Sequence, residues 1–214
     1  MIVNERIVAY INSLDTGNRE VLKDIETQAR KELVPIIRKE MENFLKVMLA
    51  LKQPQSILEV GTAVGYSAIL MSDNMPSGCH ITTIENYDKR IEKAKENIRK
   101  AGRDDVITLL EGDALEILPS LPDEEFDFLF MDAAKGQYIN FLPQVLRVLK
   151  PGAVMISDNV LQEGDIVESR YAVTRRNRTI HARMREYMYT LTHMDELVTS
   201  IVPIGDGITV SVKK

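Results

Sequence analysis

The chain has 214 residues, enough for one sizeable α/β domain, and its apolar and charged fractions are ordinary for a globular protein. A net charge of −5 argues against a protein that coats nucleic acid generally, although a local basic patch is compatible with it. The single cysteine, Cys79, excludes an intrachain disulfide. Residues 1–10 resemble no signal peptide and no apolar run is long enough to cross a bilayer, so we expect a cytoplasmic protein without a membrane partner.

Helical patterns come first in the chain and predict an N-terminal cap. They cover residues 3–13, 19–32 and 36–51. Because they precede the first strand, we expect a helical cap (1–52) that belongs to a single domain spanning 1–214.

Strand and helix signals alternate from Ser56 onward. The strand signals lie at 57–60, 80–85, 106–111, 126–131 and 153–157, and the helical signals at 66–74, 89–101, 114–118 and 138–149. This alternation predicts an α/β fold with a mainly parallel sheet and helices on both faces. Residues 197–203 and 207–212 predict a hairpin, which makes the last strand antiparallel.

A glycine turn follows the first strand and leads into a helix, as in the nucleotide-binding corner of a doubly wound sheet. The pattern is Glu59-x-Gly61-x-x-x-Gly65, and Ala63 stands where a dinucleotide fingerprint has its second glycine. The turn is therefore less suited to a pyrophosphate and favours a nucleoside ligand without phosphates. Alone, the pattern is also compatible with any strand–turn–helix corner.

Polar side chains follow the next four strands, at the edge where such sheets bind ligands: Glu85, Asp113, Asp132, and Asp158 with Asn159. One acid in such a place is often a helix cap, the simpler interpretation for Asp113 alone. Their recurrence at successive strand ends favours a cationic ligand or a metal ion. The oxygen donors at 132, 158 and 159 suit Mg²⁺.

Lys135 follows Asp132 closely, and its position alone leaves two interpretations open. It is either a solvated lysine or a general base or charge stabiliser near the cation.

Six motifs occur together: LEVGTAVGYS at 58–67, IE at 84–85, EGDA at 111–114, MDAAKGQY at 131–138, SDNV at 157–160 and GDG at 205–207. As a set they resemble the cation-dependent class I O-methyltransferases, which include catechol and caffeoyl-CoA enzymes. The resemblance implies a Rossmann-like fold with a seven-stranded, mostly parallel sheet. It also implies S-adenosylmethionine and Mg²⁺, or a similar divalent cation, as cofactors, and a homodimer with the N-terminal helices as its contact.

The resemblance also implies roles for individual residues. The catalytic residues would be Lys135 and Asp132, and the metal ligands Asp132, Asp158 and Asn159. The cofactor would be bound by Ile37, Glu59, Gly61, Ser67, Glu85, Asp113, Ala114 and Asp132. The acid with which catechol enzymes grip a second hydroxyl has no clear counterpart, although Asp206 is at a plausible place.

A basic segment at 168–186 bears on the substrate. Its arginines include Arg175, Arg176 and Arg178, and tyrosines at 171, 187 and 189 could stack on bases. The charge fits either a phosphate backbone or a solvated helix whose arginines pair with acids.

Within the family, the VPII stretch at 34–37 and this basic segment resemble those of bacterial enzymes that methylate 5-hydroxyuridine at the tRNA wobble position to 5-methoxyuridine. This resemblance implies a tRNA substrate bound through Arg175, Arg176 and Arg178. A small catechol-like phenol is the alternative substrate. A non-catalytic RNA- or nucleotide-binding module on the same fold is a third possibility, against which the presence of Asp132, Lys135, Asp158 and Asn159 argues.

Overall fold

A single sheet organises the chain. The computed structural model describes residues 2–214, and Met1, where the predicted domain begins, lies outside them. Within these residues seven strands occur in the order β3-β2-β1-β4-β5-β7-β6. Their bounds are β1 Ser56–Val60, β2 His80–Glu85, β3 Ile107–Glu111, β4 Phe126–Met131, β5 Leu149–Ser157, β6 Leu197–Val202 and β7 Ile208–Lys213. Neighbours among β1–β5 pair in parallel, whereas β7 is antiparallel to both β5 and β6. The predicted mostly parallel sheet with an antiparallel last strand is confirmed.

Helices cover both faces of the sheet. They are α1 Glu5–Ser13, α2 Glu20–Lys31, α3 Lys39–Lys52, α4 Tyr66–Asn74, α5 Asp88–Lys100, α6 Ala114–Ile117, α7 Tyr138–Val148 and α8 Arg178–His193. Alternate residues of β4 enter two separate cores, because side chains along a strand point to opposite faces. Phe128 and Phe130 pack with α2–α4, whereas Leu129 and Met131 pack with α7 and α8. The central strands are therefore apolar on both sides.

A buried acid joins the cap to the sheet. Glu42 of α3 is 1% exposed and accepts hydrogen bonds from the Tyr66 hydroxyl (2.8 Å), the Asn18 amide (2.7 Å) and the Lys39 ammonium (3.2 Å). A buried carboxylate is tolerated when it is paired in this way. Since Tyr66 begins α4, this network anchors α3 beside the glycine turn.

The segment before α3 differs from the prediction. A helix was expected from residue 36, but α3 begins at Lys39 and Arg38 is extended. Ile37 is buried against the first core, so packing of this side chain outweighs the helical spacing of the sequence. The extended segment consequently carries Ile37 and Arg38 to the carboxyl edge of the sheet.

Two other features bear on the expectations. The helix α1 has no buried residue and exposes Ile7, Tyr10 and Ile11, and Leu14 just after it is exposed as well. The homodimer contact through the N-terminal helices stays a prediction, which the sedimentation coefficient would test. No helix among residues 2–214 is both long and apolar enough to cross a membrane.

We expect Gly61→Ala to destabilise the protein strongly. Gly61 has φ +102°, and a Cβ atom there would lie 2.2 Å from the Asp132 carbonyl oxygen. Gly102→Ala is the control, because Gly102 (φ +62°) has open space around it and pays only for its backbone conformation. Urea unfolding should show a loss of roughly 1 kcal/mol for the control and at least about 2 kcal/mol for Gly61→Ala. Equal losses would contradict the steric argument.

Candidate functional site

A cavity of about 680 Å³ lies beyond the carboxyl ends of the parallel strands. It brings together most of the predicted site residues: Ile37, Gly61, Glu85, Asp113, Ala114, Asp132, Lys135, Asp158 and Asn159. Arg38, Arg90 and Asp206 also line it. Sequence reasoning missed the two arginines because no motif contains them. The helix predicted over residues 36–51 had also placed Arg38 inside a regular element.

Backbone groups fix Glu85 at the end of β2. Its Oε2 accepts the Ala63 N–H (2.7 Å), and its Oε1 accepts the N–H groups of Asn86 (3.1 Å) and Tyr87 (3.0 Å). Each carboxylate oxygen has further lone pairs, which can accept ribose hydroxyls. Ala63, in the place of the fingerprint's second glycine, thus serves to orient this acid.

Asp113 has the capping role that a single acid at a strand end suggests. Its Oδ1 accepts the Leu115 N–H at 2.9 Å, at the start of α6. The residue also lines the cavity beside Ala114. Capping and ligand contact are therefore compatible at this position.

Two acids and an amide meet at the ends of β4 and β5. Asn159 has φ +61°, and its Nδ2 donates to Asp132 Oδ1 at 2.9 Å. Burial raises the pKa of Asp158 to about 7, and the charge of Asp132 adds to the rise. Burial also raises the pKa of Asp132, against the opposing effects of Lys135 and Asn159. Two neighbouring acids whose charged forms are disfavoured are an arrangement that a divalent cation would stabilise.

The donor set at this edge fits a hard cation. Asp132 and Asp158 offer carboxylate oxygens, and Asn159 offers its amide oxygen once the group turns over. Among residues 2–214, no three His, Cys, Asp or Glu side chains come close enough to hold a metal ion between them. The amide would therefore complete the protein ligands beside the two carboxylates. Their role as metal ligands stays a prediction.

Lys135 lies across from these acids in a short 3-10 turn, Lys135–Gln137. Its Nζ is 3.5 Å from Asp206 Oδ2, and Asp206, 5% exposed, lies in the loop between β6 and β7. Arg183 of α8 donates to the Gly136 carbonyl at 2.9 Å and so holds the turn against α8. The lysine thus projects to the cavity from a turn that α8 holds in place.

Glu59 and Ser67 do not line the cavity. Glu59 is fully buried and accepts hydrogen bonds from the hydroxyls of Ser67 (2.5 Å) and Thr83 (2.5 Å). This contact joins β1, β2 and the start of α4 behind the glycine turn. A role for Glu59 or Ser67 in cofactor binding stays a prediction.

The predicted RNA-binding arginines lie outside the cavity. Arg175 and Arg176 are exposed, whereas Arg178 begins α8 and donates to the Val173 carbonyl (3.3 Å). Across the described part of the chain, no arginine of the 168–186 segment has a carboxylate within 4.0 Å in an ion pair. The interpretation as a helix with arginines paired to acids is therefore not what the structure contains.

The tyrosines of this segment differ in access. Tyr171 is 83% exposed, and the Arg178 guanidinium lies 5.9 Å from its ring centre. Tyr187 is fully buried, and its hydroxyl is 2.6 Å from Ser157 Oγ. The expectation that Tyr187 could stack on a base is wrong, because its ring belongs to the core.

Comparison with known proteins identifies the family. Residues 12–214 match the family described as O-methyltransferase. The chain belongs to the O-methyltransferase family. It is an S-adenosylmethionine-dependent O-methyltransferase.

Three relatives illustrate this membership. A catechol O-methyltransferase of Niastella koreensis is 35% identical over 128 residues, 58% of this chain and 58% of that enzyme. A Staphylococcus aureus crystal structure, described as a candidate caffeoyl-CoA O-methyltransferase, has a TM-score of 0.90 and 28% identity, covering 97% and 99% of the two chains. TomG of Streptomyces achromogenes, crystallised with S-adenosylmethionine, has a TM-score of 0.85 and 25% identity over 100% of both. Since the chain spans little more than half of the Niastella enzyme, that name does not transfer its substrate.

The stability of this O-methyltransferase should fall as pH rises, in part through Glu59. Burial raises the pKa of Glu59 from 4.5 to about 7. Between these values the unfolded chain releases a proton that the folded protein keeps, so the unfolded state gains stability. Above pH 7 the cost is complete, at roughly 3 kcal/mol.

Glu59→Gln imitates the protonated side chain and tests this. We expect denaturant unfolding to find the variant close to wild type at pH 4.5 and clearly more stable at pH 8. The exposed Glu116→Gln serves as the control. A Glu59→Gln difference that is the same at both pH values would contradict the assignment.

Proposed function

We propose that this O-methyltransferase acts on tRNA, converting 5-hydroxyuridine at the wobble position to 5-methoxyuridine with S-adenosylmethionine and Mg²⁺ or a similar divalent cation. The observation that carries the tRNA substrate is that Arg175, Arg176 and Arg178 have no acidic partners among residues 2–214 and lie at or just before the start of α8, the helix whose Arg183 contacts the turn of Lys135. In a chain that is acidic overall, the phosphate backbone of RNA is the partner that such a group fits. The sequence likeness to the bacterial tRNA enzymes supports the same substrate.

The residues would divide the reaction among them. Asp132, Asp158 and Asn159 would hold the cation, whose contribution when bound is to stabilise a deprotonated hydroxyl. S-adenosylmethionine, when bound, would supply the methyl group for transfer to the substrate oxygen, with S-adenosylhomocysteine as the leaving group. Glu85 would orient the ribose, and Asp113 and Ala114 would border the adenine.

Lys135 would act on the proton of the substrate hydroxyl. Its Nζ would accept the proton that the substrate hydroxyl loses, or stabilise the oxyanion that remains. The pairing with Asp206 and the bond from Arg183 to Gly136 aim this amine at the cavity. Positioning of the hydroxyl against the methyl group then supplies the remaining acceleration.

A small catechol-like phenol is the second candidate substrate, favoured by the name of the Niastella relative. The residues near Lys135 bear on this choice. Asp206, the acid at the place where a second hydroxyl would need one, is already paired with Lys135 and accepts the Glu163 N–H. A catechol would have to compete for it.

Nucleoside mass spectrometry of tRNA tests the activity. Cells that lack this protein should accumulate 5-hydroxyuridine, and the wild-type chain should restore 5-methoxyuridine. Asp132→Ala should fail to restore it, because it removes a ligand of the cation and the acid beside the reacting hydroxyl. Unchanged 5-methoxyuridine in the deletion strain would refute the tRNA substrate, and full restoration by Asp132→Ala would refute the metal mechanism.

The arginine segment should matter for RNA more than for a small phenol. We expect the triple change of Arg175, Arg176 and Arg178 to Ala to lower kcat/KM on tRNA by roughly tenfold or more and to weaken its salt dependence. Methylation of free catechol should change much less.

A charge-matched control completes this test. The triple Ala variant of Lys31, Lys89 and Arg99 removes three exposed cations elsewhere on the surface. It should leave both substrates nearly unaffected. Equal losses on tRNA and catechol in the Arg175, Arg176 and Arg178 variant would count against RNA recognition by this segment.

A further inference from the structure

A chain of contacts connects the catalytic lysine to an arginine at the mouth of the cavity. Lys135 Nζ lies 3.5 Å from Asp206 Oδ2, and Asp206 Oδ1 accepts the backbone N–H of Glu163. The Glu163 carboxylate in turn lies 3.5 Å from Arg38 Nη2. The stem of Arg38 passes over Gly205, the neighbour of Asp206, where a Cβ would be 3.9 Å from Arg38 Cδ. The guanidinium is therefore placed at the reactive end of the cavity.

Arg38 is held loosely in comparison with other cations. Within residues 2–214, the two longest ion pairs are Arg38–Glu163 and Lys135–Asp206, both at this cavity, and the others are 3.4 Å or shorter. The side chain of Arg38 is 37% exposed and that of Glu163 is 69% exposed. An exposed pair at this distance contributes little to stability. Glu163 can therefore leave Arg38 at small cost.

The backbone around Glu163 is unusual and aims its side chain at Arg38. Gln162, Glu163 and Gly164 all have positive φ, at 50°, 55° and 100°. Successive left-handed residues other than glycine are costly, and such strain persists where surrounding contacts maintain it. The bond from the Glu163 N–H to Asp206 is such a contact. The main chain of Glu163 is thus held in place, whereas its carboxylate is free to move away from Arg38.

We infer that Arg38 binds the phosphate of the substrate nucleotide, and that the Glu163 carboxylate occupies the position of this phosphate until RNA binds. This inference rests on the proposed tRNA substrate. A planar guanidinium pairs with phosphate through two parallel hydrogen bonds, which a single 3.5 Å contact to a carboxylate does not match.

The placement makes Arg38 a specificity-determining residue. A nucleotide whose base oxygen reaches Lys135 brings its ribose phosphates to the cavity mouth, whereas a free catechol has no anion there. The same cavity would then accept the reacting hydroxyl of both substrates, and Arg38 would strengthen the binding of the nucleotide alone.

The test compares substrates that differ in phosphate. The probes are 5-hydroxyuridine, its 3′,5′-bisphosphate and an anticodon stem-loop that carries the base. We expect Arg38→Gln to lower kcat/KM on the bisphosphate and the stem-loop by roughly 10- to 100-fold. The loss on the nucleoside should be at least about tenfold smaller, and the salt slope on the stem-loop should fall by about one phosphate contact.

Three further variants keep the test decisive. Arg38→Lys, which retains the charge without the paired geometry, should recover part of the loss. Glu163→Gln removes the competing carboxylate and should lower the KM for the stem-loop. Arg30→Gln is the matched control, because Arg30 lies in the same cap, pairs with Glu26 at 2.8 Å and does not line the large cavity.

The opposing results are distinct. Equal losses on nucleoside and bisphosphate, or a weakened affinity for S-adenosylhomocysteine in Arg38→Gln, would overturn the phosphate contact while leaving the tRNA substrate intact. A wild-type enzyme that methylates catechol but none of the three hydroxyuridine probes would overturn both.

Discussion

The contact between Gly61 and the backbone of Asp132 is the constraint on which the rest of the site depends. β1 and β4 are neighbours in the sheet, and their ends come so close that only a hydrogen atom fits on the Gly61 side. This approach brings the turn that follows β1 against the acid that follows β4. A cofactor over the turn and a cation at the acid would thus be neighbours through main-chain packing, before any side chain of the site adopts its conformation.

Electrostatics at this edge is balanced by elements from distant parts of the chain. Asp158 is buried and Asp132 is half-buried beside it, and Lys135, whose charge acts on both, also pairs with Asp206 from the last hairpin. The cap contributes Arg38, which the loop after β5 engages only weakly. The free protein therefore keeps its charges near the cavity in long, easily exchanged contacts, whereas structural pairs such as Arg103–Asp73 (2.8 Å) are short. Ligands can replace the long contacts near the cavity without disturbing the fold.

Much of the fold could be predicted from the sequence, because period and turn chemistry are local properties. The parallel strands, the hairpin and the acids at strand ends follow from alternating apolar runs and the residues that end them. The start of α3 could not be predicted, since burial of Ile37 depends on a core assembled from residues far away in sequence. For the same reason the burial of Tyr187 could not be predicted, because Tyr187 and the exposed Tyr171 have similar neighbours in the sequence.

The candidate site shows a similar division. Gly61, Glu85, Asp132, Asp158 and Asn159 were predictable because parallel strands end at one edge, so position along a strand fixes position in the cavity. The burial of Glu59 and Ser67 behind the turn was not, because a hydrogen bond between two side chains decides which way each one faces. Arg38 has no signal in the sequence at all, and its place follows only from the loop that contacts it.

The bond from Arg183 to the Gly136 carbonyl has a consequence for how this enzyme can diverge. One helix bears the basic surface at its beginning and, one turn and a half later, supports the turn that presents the lysine. Substitutions that shift this helix would also move the turn that carries Lys135. With the roles proposed above, selectivity and turnover would be inherited together, and a lineage that exchanges one substrate for another would have to rebuild the support of the lysine at the same time.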